Sequence, residues 1–222
     1  KIKKGLYNKK ALSGKIMATL FYEPSTRTRL SFESAMTRLG GSVIATENAA
    51  EFSSAIKGET LGDTIRIASD YSDVIVLRHN SPGASEIAAK YALVPLINAG
   101  DGTGEHPTQA LLDLYTIFSK FKKNNITVAM IGDLLNGRTI HSLSRLLALY
   151  PKIKQIFISP KALTMPPDLR DELKANHINF TELEDMVKGI KDADVIYQTR
   201  IQKERFKSAK VYKKHFGKYV IN

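Results

Sequence analysis

Ile16-Met-Ala-Thr-Leu-Phe-Tyr22, followed at once by Glu23-Pro-Ser-Thr-Arg-Thr-Arg29 and then Leu30-Ser-Phe-Glu-Ser-Ala-Met-Thr-Arg-Leu39, decides the architecture. The first seven residues are an apolar run of strand length, and Ser25–Leu39 carries an amphipathic helical pattern. Ser25 can cap that helix. Its first turn then offers backbone N–H groups, serine and threonine hydroxyls and guanidinium groups. A helix N-terminus favours an anion, and arginine adds charge-assisted bonds, so the turn reads as a phosphate site. A lone Ser-Thr-Arg reads equally well as an ordinary cap with solvated arginines. Consecutive polar residues directly after a buried strand favour the site.

The same alternation continues outward from this unit. Strands are expected at Ile16–Tyr22, Ser42–Thr46, Asp73–Arg78, Val94–Ala99, Ile126–Ile131, Gln155–Ser159, Asn179–Leu183, Asp194–Thr199 and Tyr219–Ile221. Helices are expected at Ser25–Leu39, Thr60–Ser69, Ala84–Tyr91, Pro107–Phe121, Arg138–Leu149, Leu169–Asn176 and Met186–Lys191. Repeated strand–helix–strand units imply parallel sheets covered by helices on both faces, an α/β fold. The polar stretch Ser119–Asn125 is the natural joint, which predicts two doubly wound domains, 1–121 and 122–222. In such sheets ligands sit beyond the carboxyl ends of the strands, so the turns after each strand are where chemistry belongs.

Composition narrows the class. The 222 residues are 43% hydrophobic and 25% charged, as expected of a globular protein and not of a disordered one. No apolar run approaches the roughly 18 residues of a membrane span. The basic start KIKKGLYNKK has no apolar segment behind it, unlike a secretory signal. Without cysteine there is neither a disulfide framework nor a thiolate metal site. The net charge of +11 comes mostly from residues after 120, in scattered lysines such as Lys203, Lys207, Lys210, Lys213, Lys214 and Lys218. No basic stripe with interleaved aromatics accompanies it, so a basic face attracting anionic substrates is preferred over nucleic-acid binding.

A second anion-binding turn is Gly132-Asp-Leu-Leu-Asn-Gly137-Arg138-Thr139. It differs from a nucleotide-binding phosphate loop by arginine in place of lysine, and no aspartate suited to magnesium follows another buried strand. An anion-binding strand-to-helix turn is the preferred reading, and nucleotide hydrolysis a poor second. Asp101, Glu105 and His106 suggest a metal only weakly, because a single histidine without paired ligand spacing is poor evidence.

Phe21–Glu33, F-Y-E-P-S-T-R-T-R-L-S-F-E, resembles the carbamoyl-phosphate signature of the aspartate/ornithine carbamoyltransferase family. Further blocks follow in the family's order: S-S-A-I-K-G-E-T (Ser53–Thr60), V-L-R-H (Val76–His79) and H-P-T-Q-A-L-L-D (His106–Asp113). After them come G-R-T-I-H-S-L (Gly137–Leu143) and T-R-I-Q-K-E-R-F (Thr199–Phe206). The last block and the A-G-D-G loop before His106 look like the aspartate branch, whereas an ornithine site would contain cysteine.

The resemblance implies transfer of the carbamoyl group of carbamoyl phosphate to L-aspartate, an early step of pyrimidine biosynthesis, with no cofactor and no metal. Ser25, Thr26, Arg27 and Thr28 would bind the phosphate. Thr28, Arg78 and His106 would polarise the carbonyl, and Gln109 would fix the carbamoyl amide. Arg138 would clamp the α-carboxylate of aspartate, while Arg200 and Gln202 would read its β-carboxylate. Ser53 and Lys57 would reach a neighbouring subunit's site, in a homotrimer with shared active sites. Taken singly, His106, Arg78 and Lys57 read as a helix-start, a solvated strand end and a surface lysine; the ordered blocks argue against those readings. A regulatory chain stays open, with no nucleic acid or membrane partner, in the cytoplasm or, after removal of a transit peptide, an organelle matrix. Family members have a helix before Lys1 and a loop and helix beyond Asn222, which implies a second domain incomplete at its C-terminus. An ornithine acceptor, or a non-catalytic subunit keeping the fold, is the alternative.

Overall fold

The computed structural model describes residues 7–47, 58–102, 104–122, 125–201, 217 and 219–221. The chain divides into two compact units, Lys1–Thr108 and Gln109–Asn222. In the first, strands β1 (Ile16–Phe21), β2 (Ser42–Glu47), β3 (Val74–His79) and β4 (Leu96–Asp101) form a parallel sheet in the order β2-β1-β3-β4. Alternate residues of β1 and β3 feed two separate cores. Ala18, Leu20, Ile75 and Leu77 pack with Ile65 of helix Leu61–Tyr71 and Ala88 of helix Ala84–Tyr91. Met17, Phe21 and Val76 pack on the other side with Met36 of helix Thr26–Arg38. Burial on both faces explains why β1 and β3 are apolar along most of their length and do not alternate, Thr19 and the end of β3 at Arg78-His79 being the polar exceptions.

The second unit repeats the plan with β5 (Thr127–Ile131), β6 (Lys154–Ile158), β7 (Phe180–Leu183) and β8 (Val195–Gln198), ordered β7-β6-β5-β8 and parallel throughout. Its larger core gathers Val128, Met130 and Phe157 with Ile140, Leu143 and Leu147 of helix Arg138–Ala148 and Leu169 and Leu173 of helix Pro167–Ala175. Helix Pro107–Lys120 contributes Ala110, Leu114 and Ile117 to this same core. Three apolar residues at helical spacing therefore commit it to the second unit, which places the compact division earlier than the joint expected at Ser119–Asn125. Ala129, Ile131 and Ile158 face the opposite side of the sheet, with Tyr219 against them.

Eight of the nine expected strands are present, with shifted ends. β4 begins and ends two residues later than Val94–Ala99, because pairing with β3 carries the ladder through Asn98-Ala-Gly to Asp101 opposite His79. The ninth is a correction: Tyr219–Ile221 is not a strand. Tyr219 is instead pinned by two single bonds, its carbonyl accepting from Gln198 Nε2 at 2.6 Å and its hydroxyl donating to the Glu184 carbonyl at 3.1 Å. A short 3₁₀ turn at Lys161–Leu163, not foreseen, follows β6. Among the described residues no helix is long and apolar enough to cross a membrane.

Candidate active site

Strand order reverses at one point in each sheet. In the first unit the chain leaves β1 toward β2 on one side and continues through β3 and β4 on the other, so the crevice lies at the carboxyl ends of β1 and β3. Phe21 is paired with Arg78 there, and the Tyr22 N–H donates to the Arg78 carbonyl at 2.8 Å. The turn Glu23–Arg29 thus starts beside the end of β3. Ser25 occupies the N-cap position of helix Thr26–Arg38 in extended conformation, but its side chain makes no capping bond, which corrects the expected cap. That helix has no acidic residue in its first turn, so its positive end is not neutralised by its own sequence. Thr26 and Arg27 are exposed, Ser25 and Thr28 partly so.

Arg78 is 7% exposed. Its Nη1 donates to the Ala99 carbonyl at 3.2 Å, and its Nη2 lies 3.1 Å from Glu23 Oε2. The guanidinium is therefore fixed from β4 on one side and from the Glu23–Arg29 turn on the other. Arg29 faces inward along the same helix, 3.6 Å from Glu33, whose carboxylate also accepts from buried Thr19 at 3.2 Å. Glu23 was read only as part of the motif; its partnership with Arg78 needed the β1–β3 pairing to become visible.

His106 is buried at the end of a loop that Asp101 organises. Asp101 is 4% exposed and accepts from the Gly83 N–H at 3.1 Å and the Glu105 N–H at 2.6 Å. Its carboxylate is thus spent on backbone, which accounts for an acidic residue that sequence alone linked to a metal. Gly102 sits at φ +56, where a Cβ would run into the Asn80 carbonyl, so glycine is required at this crossing. His79 stacks on Tyr22 with ring centroids 4.8 Å apart, and its Nδ1 accepts from the Ser81 N–H at 3.0 Å. Burial pushes its pKa down and Asp101 opposes the shift, so it stays a neutral ring bracing the loop.

In the second unit the reversal falls between β5 and β8. Turn Gly132–Gly137 leaves β5 there, and Arg138 opens the helix that follows. Asp133, 2% exposed, accepts from the Asn136 N–H at 3.0 Å and closes the turn. Gly132, at φ +120, passes so near the Thr199 carbonyl that a Cβ would overlap it. This close approach draws the β5 turn to the end of β8, where Arg200 follows Thr199. His141 Nε2 donates to the Leu134 carbonyl at 2.7 Å and holds the turn from below. Gln109, on helix Pro107–Lys120, donates from Nε2 to Asp113 Oδ1 at 3.0 Å. A Walker-type phosphate loop is not needed to explain the glycines: one serves a strand crossing and the other the helix start.

The first unit thus brings Ser25, Thr26, Arg27, Thr28 and Arg78 to one sheet edge, with His106 following the adjacent β4. The second brings Arg138 and Arg200 to one switch point, with Gln109 on a helix of the same unit. Ser53, Lys57 and Gln202 lie outside the described residues. Asp113, Tyr197 and Thr139 were not singled out by sequence reasoning, although Asp113 and Thr139 stand within quoted blocks.

Two doubly wound parallel units, each presenting arginines and a helix N-terminus where its strand order reverses, define a two-unit α/β protein of the doubly wound class. Residues 1–119 match the carbamoyl-phosphate-binding domain of aspartate/ornithine carbamoyltransferases, and residues 124–222 match their aspartate/ornithine-binding domain. The chain belongs to the aspartate/ornithine carbamoyltransferase family. It is 54% identical to the chloroplastic aspartate carbamoyltransferase of Arabidopsis thaliana, across 100% of this chain and 57% of that protein. It resembles the catalytic subunit of M. jannaschii aspartate transcarbamoylase with a TM-score of 0.89 and 51% identity, covering 99% of this chain and 73% of the other. The Trypanosoma cruzi aspartate transcarbamoylase, solved with carbamoyl phosphate and aspartate, matches at TM-score 0.81 and 45% identity, covering 90% and 64%. The chain spans 54% to 61% of the length of the plant relatives it matches.

Proposed function

We propose that the natural full-length protein carrying this chain transfers the carbamoyl group of carbamoyl phosphate to the amine of L-aspartate, releasing N-carbamoyl-L-aspartate and phosphate. The observation that carries this reading is buried Arg78, held by Ala99 and Glu23 beside a helix N-terminus rich in hydroxyl and guanidinium groups. An acyl phosphate needs its dianion neutralised and its carbonyl oxygen stabilised, and this edge supplies donors for both. The relatives named above point to the same donor and acceptor.

In this reading Ser25, Thr26, Arg27 and Thr28 take the phosphate, and Thr28, Arg78 and His106 stabilise the oxyanion. Gln109 accepts from the carbamoyl –NH₂, Arg138 clamps the α-carboxylate, and Arg200 with Gln202 reads the β-carboxylate. The amine nitrogen bonds to the carbonyl carbon, the C–O bond to phosphate breaks, and the departing phosphate takes the amine proton. No covalent nucleophile or protein base is required, because phosphate already leaves readily. The chemistry falls to positioning and charge stabilisation.

The same reading sets a functional boundary near residue 121, a phosphate-side domain before it and an acceptor-side domain after it. It includes a homotrimer in which Ser53 and Lys57 complete a neighbour's site, a place early in pyrimidine synthesis, and an aqueous compartment, cytoplasm or organelle matrix. The deciding experiment incubates the full-length protein with carbamoyl phosphate and either aspartate or ornithine. Carbamoyl aspartate alone is the expected product; citrulline, or no product with either acceptor, would overturn the proposal.

A further inference from the structure

Asp113 closes the block His106–Asp113, yet none of the roles above uses it. It stands one helical turn after Gln109 and accepts from Gln109 Nε2 at 3.0 Å. A carboxylate can only accept, so the nitrogen of the Gln109 amide must be the atom turned toward it. Gln109 Oε1 then points elsewhere, as an acceptor. Tyr197, from β8, lies near Thr139 and Asp113, close enough for both to act on the ionisation of its hydroxyl. Thr139 directly follows Arg138, and Tyr197 shortly precedes Arg200. The carboxylate of Asp113 therefore fixes Gln109 on the helix, with Tyr197 of β8 beside it.

Burial pushes the Asp113 carboxyl up, with the bond from Gln109 and the nearby Tyr197 hydroxyl opposing. Burial likewise pushes Tyr197 up to about 12, so its hydroxyl keeps its proton at any physiological pH. A half-buried carboxylate retained among partners that hold geometry, on a helix whose apolar face already anchors it, suggests a role in orientation more than in stability.

We propose that Asp113 is a positioning residue: by accepting from Gln109 Nε2 it presents Gln109 Oε1 to the –NH₂ of the carbamoyl donor. This rests on the carbamoyl-transfer reading, and it names how that site selects its donor. Acetyl phosphate is the discriminating probe, since it replaces the –NH₂ by a methyl group and offers Gln109 nothing to accept from.

The test uses the full-length protein and compares kcat/KM for carbamoyl phosphate and acetyl phosphate at saturating aspartate. Asp113→Ala should lower the preference for the carbamoyl donor about tenfold, the worth of one hydrogen bond of ordinary strength. Gln109→Ala should lower it as much, and the double variant no further, because both lesions remove the same contact. Asp113→Asn, which keeps an acceptor oxygen in the same place, should retain more of the preference than Asp113→Ala. Equal slowing of both donors by Asp113→Ala, or losses that multiply in the double variant, would overturn the inference. Should Asp113→Ala fail to fold, Asp113→Leu, which fills the same space without an acceptor, carries the same cycle against Gln109→Ala. A wild-type protein without carbamoyl transfer overturns the functional reading and this inference together, whereas transfer with multiplying losses overturns this inference alone.

Discussion

Arg78→Ala should strike the chemical step while leaving a folded protein. The guanidinium is 7% exposed and held from two sides, by the Ala99 carbonyl at 3.2 Å and by Glu23 at 3.1 Å. A donor fixed in this way before substrate arrives pays no reorganisation when negative charge develops on the carbonyl oxygen. Loss of one such preorganised donor costs about 2.7–4 kcal/mol of barrier, or roughly 100- to 1,000-fold in kcat. The fold loses less: the charged hydrogen bond to Ala99 is worth about 1.5–3 kcal/mol, so the melting temperature drops without collapse. Arg78→Lys should recover little activity, since an ammonium cannot serve Ala99, Glu23 and substrate with the planar fork of arginine. The assay is steady-state kinetics of the full-length protein with each substrate varied in turn, paired with thermal unfolding by circular dichroism. A near-normal kcat with only a raised KM would refute the reasoning and assign Arg78 to uniform substrate binding.

Three further outcomes are expected. Arg200→Ala should raise the KM for aspartate by roughly 10- to 150-fold, the loss of a charge-assisted bond, and leave carbamoyl-phosphate binding nearly intact; equal losses for both substrates would reassign Arg200 to the fold. Lys57→Ala and His106→Ala, each nearly inactive, should regain a substantial minority of wild-type activity when dissociated and reassembled together, because a mixed ring contains some sites with both residues intact. Mixed rings that form and stay inactive would confine Lys57 to its own chain. Asp113→Asn should melt at a higher temperature than wild type at neutral pH. Burial raises the folded-state pKa of Asp113, so its contribution to stability is fully present below the ordinary carboxylate value and is lost as pH rises through the raised one. The gain from Asp113→Asn should therefore shrink as the pH is lowered through that window, and a gain independent of pH would place its cause elsewhere.

Eight strands and seven helices were legible because each is a local pattern: buried parallel strands such as β1 and β3 are largely apolar runs, and the helices between them carry amphipathic repeats. Tyr219–Ile221 imitated a strand because Tyr, Val and Ile suit one equally well, yet only Tyr219 found partners, and those were not a ladder. The carboxyl end of β4 lies beyond Ala99 because Gly100 and Asp101, part of the A-G-D-G segment that reads as a loop, stay extended through pairing with β3. The candidate site was legible where its residues fall in succession along one turn, as in Ser25–Thr28. Partners that serve the site from a distance were not: Glu23 beside Arg78, and Asp113 with Gln109, Tyr197 and Thr139, carry no pattern of their own.

By itself the sequence determined which segments become strands and helices, that the sheets are parallel, and which strand ends are rich in anion-binding groups. Those properties depend on hydrophobic periodicity and side-chain chemistry over a few residues, and local sequence encodes both. Only the tertiary structure decided the strand orders β2-β1-β3-β4 and β7-β6-β5-β8, and with them where each crevice opens. It also committed helix Pro107–Lys120 to the second unit through Ala110, Leu114 and Ile117, and it turned Gln109 by way of Asp113. Those choices are settled by packing between segments far apart in the chain, where close approach and the need to pair every buried polar group select one arrangement among many that local sequence permits equally.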